Sequence, residues 1–224
     1  MLRVWLRSAI AKSGYEVTRV PEAEPMTGIA SIESLVERFE YVPGMLDWSN
    51  AGLLYLLSRT SSVRGDVVEL GSWQGRSTCF LAQGCRDSGN GVVHAVDHFK
   101  GNTGRESHYV VGKEDLSDLK SNFETNIARA GLSDRVVIHD MSSQDARSEV
   151  NGPVRLLFID AEHTYSAVTN DISVWRDALT PGAIVEFDDV AASFPAVVKA
   201  VREGFEGFTA PVAWGRFAFM TREL

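Results

Sequence analysis

The stretch Val67-Val-Glu-Leu-Gly-Ser-Trp-Gln-Gly-Arg-Ser77 decides the fold. An apolar, β-branched run is broken by Gly71 and Gly75 and gives way to a helical pattern from Arg76 onward, so the segment reads as a strand, a glycine turn and a helix start. Glycines at these places let backbone approach a ligand closely, and a helix start offers free N–H groups to a carboxylate or phosphate. The spacing is G-x-x-x-G, with Trp73 in between, whereas a dinucleotide fingerprint needs G-x-G-x-x-G. That departure counts against a nicotinamide-dependent oxidoreductase. Asp97 ends the next strand, 26 positions after Gly71 (97 minus 71), where a carboxylate can accept hydrogen bonds from both hydroxyls of a ribose.

Working outward, β-branched runs at 66–70, 92–96, 135–139, 154–159 and 183–187 alternate with helical patterns at 75–87, 114–130, 165–179 and 194–203. Such alternation predicts an α/β fold with a doubly wound, Rossmann-like parallel sheet and a ligand site at the carboxyl edge of its strands. Two further strand-like runs, 209–214 and 216–221, are separated by Gly215, which predicts a closing antiparallel hairpin and a seven-stranded sheet. Towards the start, residues 1–16 read as a short amphipathic helix and 20–28 as a Pro- and Glu-rich connector. Helical patterns follow at 31–39 and 44–58, the second with Leu46, Leu53, Leu54, Leu56 and Leu57 as a core-facing stripe. The expected organisation is a helical N-terminal extension, 1–60, for capping or dimerisation, and a ligand-binding α/β domain, 61–224.

Composition narrows the function. The 224 residues carry a formal charge of −8, from 22 basic and 30 acidic side chains, and no Lys/Arg cluster is placed to neutralise a run of phosphates, so nucleic acid is not the expected partner. With 44% hydrophobic residues a continuous core is affordable, yet no apolar run reaches the roughly 18–20 residues that span a bilayer, and the start lacks a signal-peptide pattern. A soluble, cytoplasmic protein is expected. Cys79 and Cys85 lie in one helical segment on different faces, which suits neither a disulfide nor a thiolate metal site. A homodimer is expected because residues 1–45 are apolar in places.

The strongest chemical signal is Asp160 at the end of the fourth strand with Asp188-Asp189 at the end of the fifth. A doubly wound sheet sets those two ends side by side, so three carboxylates converge. Like charges so close either raise one another's pKa or hold a cation, and an all-oxygen cluster suits Mg²⁺ or Mn²⁺. The plain alternative is a polar loop end with Asp160 capping the next helix. His163, three residues after Asp160, is a candidate base near neutral pH or a hydrogen-bonded structural residue. Residues 98–113, Gly-rich and at the ligand edge, read as a lid over an acceptor or as a surface loop. Tyr165 and Trp214 offer stacking faces for a ring, or core packing.

These residues resemble class I S-adenosylmethionine (SAM)-dependent methyltransferases, whose first motif has the form acidic-x-Gly-x-x-x-Gly and whose second strand ends in an acidic residue; the likeness spans 66–221, hairpin included. It implies that Glu69, Gly71 and Gly75 cradle the methionine part of the cofactor, that Ser77 holds its carboxylate and that Asp97 takes the ribose; Ser72, in the same turn, joins the cofactor-binding set, and His98, flanking the loop after the second strand, is expected to touch the cofactor or the acceptor. The stretch Asp140-Met-Ser-Ser-Gln-Asp145 resembles the adenine-contacting segment of catechol O-methyltransferase-like enzymes, with Ser143 and Gln144 as counterparts, and equally reads as a polar turn with a Ser N-cap. The pairing of Asp160-Ala-Glu-His163 with Phe187-Asp-Asp189 resembles the metal-dependent macrocin and mycinamicin sugar O-methyltransferases. That likeness implies Asp160, Asp188 and Asp189 as Mg²⁺ ligands, Asp160 beside the cofactor, and His163 as the base acting on a hydroxyl of a small molecule or saccharide. In catechol O-methyltransferase the last ligand is Asn where this chain has Asp189, so phenols are the second choice. A metal-independent small-molecule methyltransferase is the main alternative, and a binding module without chemistry leaves the carboxylates unexplained.

Overall fold

The computed structural model describes residues 31–101 and 116–223. The amphipathic segment at 1–16, the connector at 20–28 and most of the expected lid, 102–113, lie outside the described residues. In chain order the elements are α1 (Ile32–Phe39), α2 (Trp48–Thr60), β1 (Asp66–Leu70), α3 (Arg76–Ser88), β2 (Val93–Val96), α4 (Leu119–Arg129), β3 (Val136–His139), α5 (Ser143–Ala146), β4 (Val154–Ile159), α6 (Tyr165–Trp175), β5 (Leu179–Phe187), α7 (Pro195–Glu203), β6 (Val212–Trp214) and β7 (Phe217–Thr221), with single 3₁₀ turns before β3 and β5.

The seven strands form one sheet in the order β3-β2-β1-β4-β5-β7-β6. The first five are parallel, β7 runs antiparallel to β5, and β6 returns antiparallel beside β7. This is the doubly wound sheet with a terminal hairpin expected from the sequence. From β1 the chain winds outward through β2 and β3, then crosses back to β4 and β5 on the other side. The strand order therefore reverses between β1 and β4, and a cleft opens outside their carboxyl ends.

Strands buried on both faces must be apolar nearly throughout. β4 is buried at every position, and its Arg155 donates from Nε to Gly65 O at 2.9 Å and from Nη2 to Asn90 O at 2.9 Å, while its Nη1 is buried without a hydrogen-bond partner. One core lies between the sheet and α1 to α4, with Phe39, Leu54, Phe80, Phe123 and Phe158. The other lies between the sheet and α5 to α7, with Leu70, Leu157, Trp175, Phe187 and Val197. The helices of residues 32–60 thus share a core with the sheet.

Local differences from the sequence reading have local causes. α2 begins at Trp48, because Asp47 caps it by accepting Asn50 N–H at 2.9 Å, and residues 44–46 stay outside the helix. Leu46 and Leu54 are buried as expected, but Leu56 faces solvent, since α2 buries a narrower stripe than five leucines suggest. β5 starts at Leu179, where a helix was expected to end; it accommodates Pro181 beside a break in register with β4. Among the described residues no helix is long and apolar enough to cross a membrane.

Candidate active site

The site begins with the turn between β1 and α3. Gly71 adopts φ +90°, and a Cβ added there would sit 2.0 Å from Asp160 O, so glycine is required for β1 to close against the end of β4. Gly75 adopts φ +92° as the residue before α3, and its bare Cα face packs on Phe123 and Ile127 of α4. Both glycines answer to contacts within the protein as well as to any ligand. Between them Trp73 takes a left-handed φ of +47°, held because Asp97 Oδ2 accepts both Ser72 N–H at 3.0 Å and Trp73 N–H at 2.9 Å. Asp97 Oδ1 accepts Phe99 N–H at 2.6 Å.

Glu69 is fully buried behind this turn. Thr78 Oγ1 donates to its Oε2 by a short contact of 2.5 Å, and the Ser77 and Ser72 hydroxyls also face it. Burial pushes its carboxyl up to about 7, with these hydroxyls pulling the other way. Ser77 therefore turns towards Glu69.

A cavity of about 750 Å³ opens beyond the carboxyl ends of β1 and β4. Its size falls in the roughly 300–1,000 Å³ range of ligand pockets. Of the sequence candidates, Gly71, Asp97, His98, Ser143, Gln144, Asp160, His163, Asp188 and Asp189 line it, whereas Glu69, Ser72, Gly75 and Ser77 stand behind its wall. At one end Ser142 caps α5 by accepting Asp145 N–H, and Trp175 Nε1 donates to Ser143 Oγ at 2.9 Å, which fixes Ser143 beside Gln144. His98 accepts Lys100 N–H on Nδ1 at 3.0 Å. Tyr165 and Trp214 are exposed at 37% and 68% and line neither core nor cavity.

At the other end the carboxylates converge. Asp160, His163 and Asp189 each offer a ligand atom, all within 4.8 Å of one another. Asp160 is not a helix cap: Thr164 caps α6 by accepting Ala167 N–H at 3.2 Å. Asp160 touches the cavity, but the crowding of protein around its carboxyl and the charge of Asp188 raise it well above the ordinary carboxylate range. Asp188 is pushed up to about 6 by burial, which Arg216 and His163 partly offset. Its Oδ1 accepts Asp189 N–H at 2.6 Å, and Asp189 itself is left-handed at φ +59°.

His163 Nε2 lies 2.7 Å from Asp189 Oδ2 without the alignment of a hydrogen bond, and its Nδ1 has no hydrogen-bond partner either. Burial, reinforced by Arg216, holds the imidazole below its ordinary pKa, against the opposing pull of Glu162 and Asp188. Neither ring nitrogen of His163 has an aligned hydrogen-bond partner, and the carboxyls of Asp160 and Asp188 nearby are both held above their ordinary range. Arg216, in the turn before β7, meets the same carboxylates, and Asp171 of α6 lines the cavity with its carboxyl pushed up to about 6 by burial.

The sequence reading missed both. Arg216 had a signal: β7 pairs with β5 as Phe187↔Ala218, so continuing that register sets residue 216 opposite 189.

Compared with known families, the chain matches the methyltransferase domain family over residues 68–190, more than half of its length. The chain belongs to the methyltransferase domain family. The matched span of this methyltransferase runs from β1 to just past Asp189, so it takes in the glycine turn, Asp97 and the carboxylate cluster. Solved structures agree on the fold. Cofactor-bound Rv0187 from MTB superposes with a TM-score of 0.63 at 21% identity, covering 89% of this chain and 94% of that one. The O-methyltransferase from Bacillus cereus in complex with SAH matches at TM-score 0.60 and 17% identity over 100% of both chains. TomG, the O-methyltransferase from Streptomyces achromogenes involved in tomaymycin synthesis and solved with SAM, matches at TM-score 0.60 and 17% identity, over 100% of this chain and 99% of that one.

Proposed function

We propose that this methyltransferase is a SAM-dependent O-methyltransferase that uses a divalent cation, Mg²⁺ or Mn²⁺, and acts on a hydroxyl of a small molecule, a saccharide or glycoside. The observation that carries the reading is the convergence of Asp160, Asp189 and His163 within 4.8 Å, with Asp188 alongside, at one end of the cavity. The structures of relatives solved with SAM and with SAH support the cofactor. The saccharide preference rests on the sequence likeness to the macrocin and mycinamicin enzymes and on the aptness of vicinal diols as metal chelators.

In this reading Asp97, on the wall beside the glycine turn, accepts from the cofactor ribose, and Ser143 and Gln144 border its base. Glu69, with Ser72, Ser77 and Thr78, holds the turn in shape from behind. Asp160, Asp188 and Asp189 would hold the cation; its fit is supported by carboxyls driven above their ordinary range and by the unpartnered nitrogens of His163. A bound divalent ion supplies the acidification that an aliphatic hydroxyl needs, lowering the pKa of a ligated oxygen by several units. His163, kept neutral by burial, would accept the hydroxyl proton, and Asp189, whose Oδ2 lies 2.7 Å from Nε2, would stabilise the imidazolium. Thr164 and the start of α6 fix the loop that carries it.

The compact group of three includes His163, so a second role, His163 as a nitrogen ligand in place of Asp188, has its own support. Oxygen-rich coordination suits Mg²⁺ better, which favours His163 as base. A screen of hydroxylated acceptors with SAM, run with Mg²⁺ and with chelator, tests the function: turnover is expected only with the metal, and equal turnover in chelator would favour a metal-independent enzyme.

A further inference from the structure

Arg216 occupies the two-residue turn between Trp214 and Phe217, which pair across it. Its backbone is pinned, because its carbonyl accepts Val190 N–H at 2.8 Å and so ties the hairpin to the loop that follows β5. Its side chain is half exposed, at 49%, on the rim of the cavity. The guanidinium touches Asp189 Oδ1 through Nη2, and its Nε lies 4.0 Å from Asp188 Oδ1. Among the described residues, the cations paired with Asp188 and Asp189 are Arg216 and, when protonated, His163.

We propose that Arg216 is a displaceable counter-cation of the carboxylate cluster: its guanidinium neutralises Asp188 and Asp189 when no divalent ion is bound, and an ion must displace it to enter. This rests on the reading of the cluster as a divalent-cation site. An ion ligated by Asp189 and a guanidinium in contact with the same carboxylate would be like charges a few ångströms apart, which repel strongly in a partly desolvated site. The pinned backbone and long, half-exposed stem let the charge leave and return to one place. Two consequences follow. The apparent metal affinity is the intrinsic one reduced by the fraction of molecules with Arg216 withdrawn, and the cluster is kept compatible with folding while empty, since uncompensated buried charge is strongly destabilising.

The test uses the full chain as wild type, Arg216→Gln, Arg216→Lys and Asp188→Ala, with Mn²⁺ as the probe followed by the paramagnetic resonance of the free ion, and thermal melts in chelator. Arg216→Gln is expected to bind Mn²⁺ about tenfold more tightly, the factor for a guanidinium that withdraws in about one molecule in ten. It should also melt below wild type in chelator, with the gap closing at saturating Mn²⁺. Arg216→Lys, with a compact charge unable to reach both carboxylates at once, should fall between the two, and it carries the comparison if Arg216→Gln does not fold. Binding by both Arg216 variants no tighter than wild type, with binding lost in Asp188→Ala, would overturn the counter-cation role and leave the metal site standing. Absence of Mn²⁺ binding in wild type and both Arg216 variants would overturn the metal site and this proposal together.

Discussion

Asp160 and Asp188 are the residues whose state reports most directly on the site. Asp160 is raised well above the ordinary carboxylate range, by burial first and then by Asp188, and Asp188 is raised to about 6 by burial. An acid with a raised folded pKa keeps protons that the unfolded chain gives up near pH 4, so its favourable contribution is present below about that pH. That contribution is lost as the pH rises through about 6 for Asp188 and higher for Asp160. A divalent ion competes with those protons, so Mn²⁺ should raise the melting temperature clearly at about pH 8 and little at about pH 5; equal shifts at both would argue that the carboxylates do not ligate it. His163 divides base from ligand. As a base, His163→Gln should cut turnover by about 10²–10⁴ while Mn²⁺ affinity measured by calorimetry is unchanged; as a ligand, affinity falls too. The three aspartates were legible because strand ends of a doubly wound sheet have fixed neighbours. His163 was legible as a nearby titratable group, but not its approach to Asp189, which depends on the loop path between Asp160 and Thr164. Arg216 was overlooked because its role depends on the register of β7 on β5, not on any local pattern.

At the scale of elements, the β1–turn–α3 unit organises the site. Its glycines were read as room for a ligand, and the structure adds that Gly71 must clear Asp160 O and Gly75 must clear α4. Gly71→Ala combines a left-handed backbone with a backbone clash and should cost at least about 2 kcal/mol, a fall in melting temperature of at least about 4 °C for a domain this size. A smaller fall, with metal binding intact, would mean that the turn tolerates displacement of β4. Glu69 is the other support of this unit: Glu69→Ala orphans the Thr78 hydroxyl and should cost about 1–3 kcal/mol. Glu69→Gln should cost less, because burial already favours the neutral carboxyl, and chemical denaturation of the two variants separates these outcomes. The strands and long helices were legible from their periodicity. The start of α2 was not, because Asp47 decides it by a single hydrogen bond, and neither was the extra length of β5, whose residues 179–182 hold Pro181 and Gly182 and lack a β-branched run.

Over the whole molecule, the reversal of strand order between β1 and β4 opens the cavity, and the β5–β7 pairing closes one end of it with carboxylates and Arg216. In the proposed reaction the end near Ser143 and Gln144 takes the nucleoside, the other takes the cation and the hydroxyl, and a methyl group passes between them. Acceptor identity is not encoded in this frame, because residues such as Met45, exposed at the cavity rim, come from loops whose sequence follows no periodic rule. Calorimetric titration of S-adenosylhomocysteine and, separately, of Mg²⁺ into the full chain, wild type and Asp188→Ala, tests the central claim most directly. The account predicts cofactor binding in both proteins and a Mg²⁺ isotherm in wild type that disappears in Asp188→Ala. No heat with the cofactor in either protein, or a Mg²⁺ isotherm that survives the loss of Asp188, would contradict it.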